Sequence, residues 1–209
     1  MCNLYRMTKN ADEVAKWFEA INDAVGANFG EELYPGYPGL VVAEGRVRQM
    51  NWGFPVVLKG KKGQPLKPKP VTNARDDKLT TAFWRDSFAR RRCLIPVTQW
   101  AEPEGTPGKM TRTWYALAGH DLFAVAGLWR RTAEWGNAYT MVMADACAQM
   151  VDVHDRMPVI LPREQWTGWL EGSEDEALAL ARTCDLELAV ERTEALWASG
   201  AMPAQRPLI

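Results

Sequence analysis

Few residues of this chain can do unusual chemistry, and the first of them is Cys2, directly behind Met1. Loss of Met1 leaves a thiol and an α-amine on one carbon skeleton. Such an amine has a pKa of about 7.7–8.0 and the thiol one near about 8.5, so both are usable nucleophiles around neutrality. A 1,2-aminothiol can attack a peptide carbonyl through sulfur. It can also take an aldehyde as an imine and close it through sulfur into a thiazolidine ring. Two histidines are available to move protons. His154 sits among charged residues, in His154-Asp155-Arg156, whereas His120 lies between Gly119 and Asp121 in a turn-like segment and reads as structural.

Four short motifs surround these residues: Met1-Cys2-Asn3, Val71-Thr72-Asn73-Ala74-Arg75, Arg92-Cys93-Leu94-Ile95-Pro96 running on to Trp100-Ala101-Glu102, and His154-Asp155-Arg156-Met157-Pro158-Val159-Ile160-Leu161. In this order and over almost the whole chain they resemble the SOS response-associated peptidase family, proteins that shield abasic sites in single-stranded DNA by covalent attachment. The resemblance implies catalytic roles for Cys2 as nucleophile and for Asn73, Glu102 and His154, with Arg75 against a DNA phosphate. It also implies a cysteine-peptidase type of self-processing that removes Met1, then a lyase-like, thiazolidine-forming crosslink to the ring-opened deoxyribose aldehyde. The expected partner is single-stranded DNA containing abasic sites, met by a monomer in the cytoplasm near the nucleoid, with no membrane, metal or cofactor involved. The chain departs from the pattern in two places. It begins Met-Cys-Asn-Leu-Tyr where many members have Met-Cys-Gly-Arg-Tyr, and it has Gln99-Trp100-Ala101-Glu102-Pro103 where Tyr-Glu-Trp is common. Either Trp100 replaces the missing ring or that stacking surface is absent, and Glu102 is preferred to Glu104 on its spacing from Cys93.

The residue types suit those roles on their own chemistry. Opening a deoxyribose hemiacetal and shuttling protons between amine, carbinol and thiol needs an acid/base group, which a carboxyl of raised pKa at Glu102 supplies. His154 can polarise the sugar oxygen, and an amide at Asn73 can hold the terminal amine or the reacting oxygen without titrating. Single-stranded DNA asks for basic residues and stacking surfaces. Trp52, in Trp-Gly-Phe-Pro, is the best stacking candidate, while Arg75, Arg85, the 90–92 arginines and Arg156 are candidate phosphate contacts. Most of the ten tryptophans belong to the core, with Trp17, Trp114 and Trp129 the clearest cases. Two other functions use the same residues: a cysteine peptidase acting in trans with His154 as base, and a non-covalent single-strand-binding module.

Charge is unevenly spread behind a net charge of −1. Residues 46–92 hold thirteen Lys/Arg against three acids, a local excess of +10, whereas residues 171–194 carry −6. It is the local field that steers a polyanion. The four cysteines are scattered without a CxxC pair, which fits a reducing compartment and neither a zinc site nor a disulfide framework. No signal peptide or membrane segment is expected.

For the elements that position these residues, Asn10 and Glu13 predict a capping box ahead of a helix whose apolar positions are Val14, Trp17, Phe18, Ile21 and Val25. Strands are predicted at 40–43, 46–52, 92–98, 114–118, 122–129 and 139–144, and helices at 81–90, 145–151, 162–170 and 173–182. Residues 60–70, rich in Lys, Pro and Gly, read as a mobile surface loop. The expected fold is α+β, a single domain over residues 1–209 with a mainly antiparallel, barrel-like β core and flanking helices.

Overall fold

The computed structural model describes residues 2–27 and 30–197. Met1, whose removal the sequence chemistry requires, lies outside them. Five strands close into a barrel: Gly136–Asp145, Phe123–Thr132, Arg92–Val97, Pro38–Ala43 and Arg46–Trp52 are neighbours in that order. A parallel pairing of Tyr139 with Trp52 joins the last to the first. The short strand Asn73–Arg75 continues along the same edge, with Met141 beside Asn73 and Met143 beside Arg75. Closure removes the exposed edges that an open sheet would leave.

Why the barrel forms is plain in its strands. Arg92–Val97 is buried at every position, as a strand covered on both faces must be. Its Arg92 is tolerated because Phe88, Trp169 and Gly172 turn their carbonyls onto the guanidinium. Gly39 is required by close approach, since a Cβ there would collide with the hydroxyls of Tyr5 and Tyr139. Those hydroxyls are hydrogen-bonded to each other at 2.5 Å inside the core.

A second, antiparallel sheet runs in the order Leu188–Leu196, Thr111–Leu117, Gln99–Glu104, Tyr5–Arg6, Glu32–Leu33. It carries the N-terminal segment to the site. Tyr5 pairs with Trp100, and the Ala101 amide donates to the Leu4 carbonyl at 3.0 Å, so the same register brings residues 2 and 3 alongside Glu102. The α+β class and the mainly antiparallel core are as the sequence predicts. Among the described residues no helix is long and apolar enough to cross a membrane.

Several elements differ from expectation for local reasons. The first helix, Ala11–Phe18, has the full Asn10/Glu13 capping box but ends at Glu19, which takes a left-handed conformation (φ 55°). Ile21 is then claimed by pairing with Arg46, and both Ile21 and Val25 are exposed. Residues 81–84 form a turn, so the next helix is only Arg85–Arg90. No helix forms at 145–151. There the chain folds back so that the Ala146 amide reaches the Asp155 carbonyl, delivering His154 to the barrel mouth. The 60–70 segment is partly a hairpin, with Lys69–Val71 paired to Phe54–Val56. Trp114 is buried, but Trp17 and Trp129 are only partly so.

Candidate active site

Cys2 is fully buried, and its thiol faces the Leu4 carbonyl at 3.5 Å. Its own carbonyl is held by Asn73, whose Nδ2 donates to it at 2.8 Å and to Thr72 Oγ1 at 2.8 Å. Thr72 Oγ1 in turn donates to Asn3 Oδ1 at 3.2 Å. Asn73 therefore grips the backbone of Cys2, where the sequence suggested the amine or the reacting oxygen. Its Oδ1 is buried with no hydrogen-bond partner among the described residues, an acceptor left over at the site.

The clamp is anchored from behind. The Thr72 carbonyl accepts from the Met141 amide at 2.9 Å and from the Trp52 indole at 3.3 Å. Trp52 is fully buried, edge-on to Tyr5 with centroids 4.9 Å apart. No base can stack on it. Its part is to fix Thr72 and Asn73, which corrects the stacking role expected from sequence. Trp100 offers no replacement surface either, being buried and stacked on Tyr115.

Glu102 and Glu104 separate cleanly by environment. Glu104 is partly exposed, bonded to Thr113 and Arg192, and these partners hold its carboxyl below the usual range. Glu102 is fully buried, and desolvation pushes its pKa up to about 8, so it keeps its proton at neutrality. Burial likewise raises the Cys2 thiol, and the neighbouring Glu102 carboxyl adds to that rise. His154 Nε2 lies 3.9 Å from Glu102 Oε2, and its Nδ1 faces the Arg156 amide at 2.9 Å. Partial burial lowers the His154 pKa, which favours the neutral ring. The fold thus gathers Cys2, Asn73, Glu102 and His154 from four separate parts of the chain. A dry carboxylic acid, a neutral imidazole and a gripped aminothiol precursor are suited to proton transfer around a carbonyl carbon.

The basic residues are more dispersed than their sequence clustering suggests. Arg85 is exposed on its helix, Arg75 is paired with Asp77, and Arg156 bridges Asp76 and Asp145. Arg92 is buried among carbonyls and is no phosphate contact, while Arg90 and Arg91 pair with Asp86. Lys59, Lys61, Lys62, Lys67 and Lys69 are exposed on the arm that runs into Val71 and Thr72, and none has an ion pair among the described residues. Thr72 was not singled out in the sequence, although it adjoins Asn73 in the same motif. Nothing in composition marks a hydroxyl as the second link of a clamp. No group of three or more metal-ligating side chains occurs among the described residues.

Known proteins resemble the chain in sequence and in fold. The abasic site processing protein YoqW of Bacillus subtilis (strain 168) is 30% identical over 131 residues, 60% of this chain and 57% of the relative. YobE of the same organism, also named an abasic site processing protein, is 30% identical over 131 residues, 60% and 58% of the two chains. This chain thus matches a little over half the length of these relatives. Two solved structures share its fold. A Bacteroides thetaiotaomicron protein has a TM-score of 0.76 at 20% identity over 92% of this chain and 93% of its own. A Bordetella bronchiseptica protein has a TM-score of 0.76 at 24% identity over 92% and 99%. The model of the SOS response associated peptidase (SRAP) family matches residues 1–195, and the chain belongs to that family.

Proposed function

We propose that the chain captures abasic sites in single-stranded DNA through Cys2, after Met1 has been removed by self-processing. The α-amine adds to the C1′ aldehyde of the open sugar and water leaves, giving an imine. The thiol sulfur then bonds to C1′ while its proton passes to nitrogen, closing a thiazolidine with net loss of one water. Glu102, protonated at neutrality, donates to the sugar oxygen and to the departing hydroxyl, then serves as base. Neutral His154 lies close enough to Glu102 to relay protons with a small adjustment. Asn73 holds the Cys2 backbone so that amine and thiol keep one orientation.

The observation that carries this reading is the meeting of a gripped Cys2 with a buried carboxyl raised to about 8. The raised Cys2 thiol argues against a resting thiolate, the species that a peptidase acting in trans would use. The strand reaches the site past the exposed lysines of residues 59–69, which supply sequence-independent attraction for phosphates. A labelled single strand with one abasic site, incubated with the protein and run on a denaturing gel, tests the reading. A slow-migrating band is expected with wild type, and none with Cys2→Ala or with intact DNA. No band from wild type removes the proposal.

A further inference from the structure

Arg75 and Arg156 are the arginines best placed for DNA phosphates, yet both guanidinium groups are already engaged by carboxylates of a single turn. Arg75 Nε and Nη2 each lie 2.9 Å from an oxygen of Asp77, a two-pronged pairing. Arg156 Nη1 lies 3.0 Å from Asp76 Oδ1 and 3.1 Å from Asp145 Oδ1. Asp76 and Asp77 open the 3₁₀ turn Asp76–Lys78, immediately after the strand that presents Asn73. The strand Gly136–Asp145 sets both arginines at one end of the barrel, with Met143 beside Arg75 and Asp145 opposite Arg156.

The two pairs differ in their access to solvent. The Arg75 and Asp77 side chains are 44% and 43% exposed, those of Arg156 and Asp76 only 16% and 27%. Exposed pairs of this kind are weak. A phosphodiester offers a guanidinium the same fork of two oxygens as a carboxylate does, so it can take the place of Asp77. Arg156 is more constrained, because its amide and carbonyl bracket His154 Nδ1 at 2.9 and 3.1 Å.

We propose that Asp77 is a specificity-determining residue, an internal substitute for phosphate that keeps Arg75 oriented but occupied. This rests on the abasic-capture reading of the site. Every single strand must displace Asp77 to reach Arg75, which keeps encounters with intact DNA short. An abasic strand makes the same displacement once and is then fixed by its bond to Cys2. Asp77 thereby limits sequestration on intact strands without touching the reacting atoms.

The test is fluorescence anisotropy with an intact single-stranded oligonucleotide over a range of salt, alongside crosslinking of an abasic oligonucleotide with intact DNA as competitor. Asp77→Asn is expected to tighten intact-strand binding about two- to fivefold. The log–log salt slope steepens by about 0.7, one further phosphate contact on a single strand. Less competitor is then needed to halve crosslinking. The gain disappears in the Arg75→Ala/Asp77→Asn double variant. Unchanged or weaker binding by Asp77→Asn, or a gain that survives without Arg75, overturns the proposal. Intact-strand affinity is read without any crosslink, so this failure is distinct from a wild-type protein that fails to capture abasic DNA.

Discussion

The clamp around Cys2 and the lysine arm beside it are separated by a single residue step, from Val71 to Thr72, yet they are built on opposite physics. In the clamp, Cys2 and Glu102 are fully buried, Asn73 nearly so, and the carboxyl is held neutral by desolvation. On the arm, Lys59, Lys61, Lys62, Lys67 and Lys69 are exposed to water. A low local dielectric makes each interaction in the clamp strong and geometry-sensitive, while the arm acts as a screened, diffuse field. On the proposed function, the contrast divides chemistry from affinity between the two regions. Substitutions should therefore move one without the other.

The largest effect is expected in the clamp. Glu102→Gln removes the proposed acid/base group and should slow crosslinking by about 10²- to 10⁴-fold, measured as single-turnover rate at saturating abasic DNA, with intact-strand affinity unchanged. A rate within a factor of about three of wild type would break the division.

Trp52→Ala tests whether the clamp depends on its buried support. Removal of a fully buried tryptophan is expected to cost about 3–5 kcal/mol in denaturant unfolding. Because Trp52 braces the Thr72 carbonyl, crosslinking should fall even at temperatures where the variant stays folded. Full crosslinking by a destabilised but folded variant would mean that Thr72 and Asn73 hold their places without it.

A third effect concerns stability and pH. The folded pKa of Glu102 is raised to about 8 from an ordinary 4.5, so the folded state holds a proton that the unfolded state releases. Stability from this group is intact below about pH 4.5, drains as pH rises, and is fully lost above about pH 8. Glu102→Gln should therefore be more stable than wild type by on the order of a few kcal/mol at pH 8–9, with the difference closing toward pH 5. Thermal melts across that range check it, and a gap that widens toward acid would contradict the sign.

The smallest effect belongs to the arm. Lys61, Lys62 and Lys67 replaced together by Gln should weaken intact-strand binding about tenfold at low salt and flatten the salt slope by about 2. The saturated crosslinking rate should not change. A slower saturated rate would mean that the arm takes part in positioning the sugar.

The same division governed what the sequence could reveal. Asn10 and Glu13 disclosed the first helix because a capping box is a local device, and the apolar run at Arg92–Val97 disclosed a central strand. Cys2, Asn73, Glu102 and His154 were legible as candidates through their motifs, since a terminal aminothiol, an amide, an acid and an imidazole are chemically distinctive, whereas the Thr72 hydroxyl that links Asn73 to Asn3 was not. Trp52 was misread because its neighbours in sequence are turn-like and basic, while burial is settled by Tyr5 and Thr72, which come from elsewhere. The choice between Glu102 and Glu104 could be guessed from spacing, but only the packing shows one dry and the other paired with Arg192. Net charge along 46–92 overstated the basic surface, because Arg46, Arg48, Arg75, Arg90 and Arg91 are paired with acids and Arg92 is buried. Pairing across the fold is invisible to a count along the chain.

The central claim is that Cys2 joins the sugar through both nitrogen and sulfur, and intact mass spectrometry of the purified adduct tests it most directly. The expected mass is that of the protein without Met1 plus the oligonucleotide, less one water, and it should survive treatment with borohydride unchanged. An adduct that still carries Met1, or one that gains hydrogen on borohydride treatment as a simple imine does, would contradict the claim.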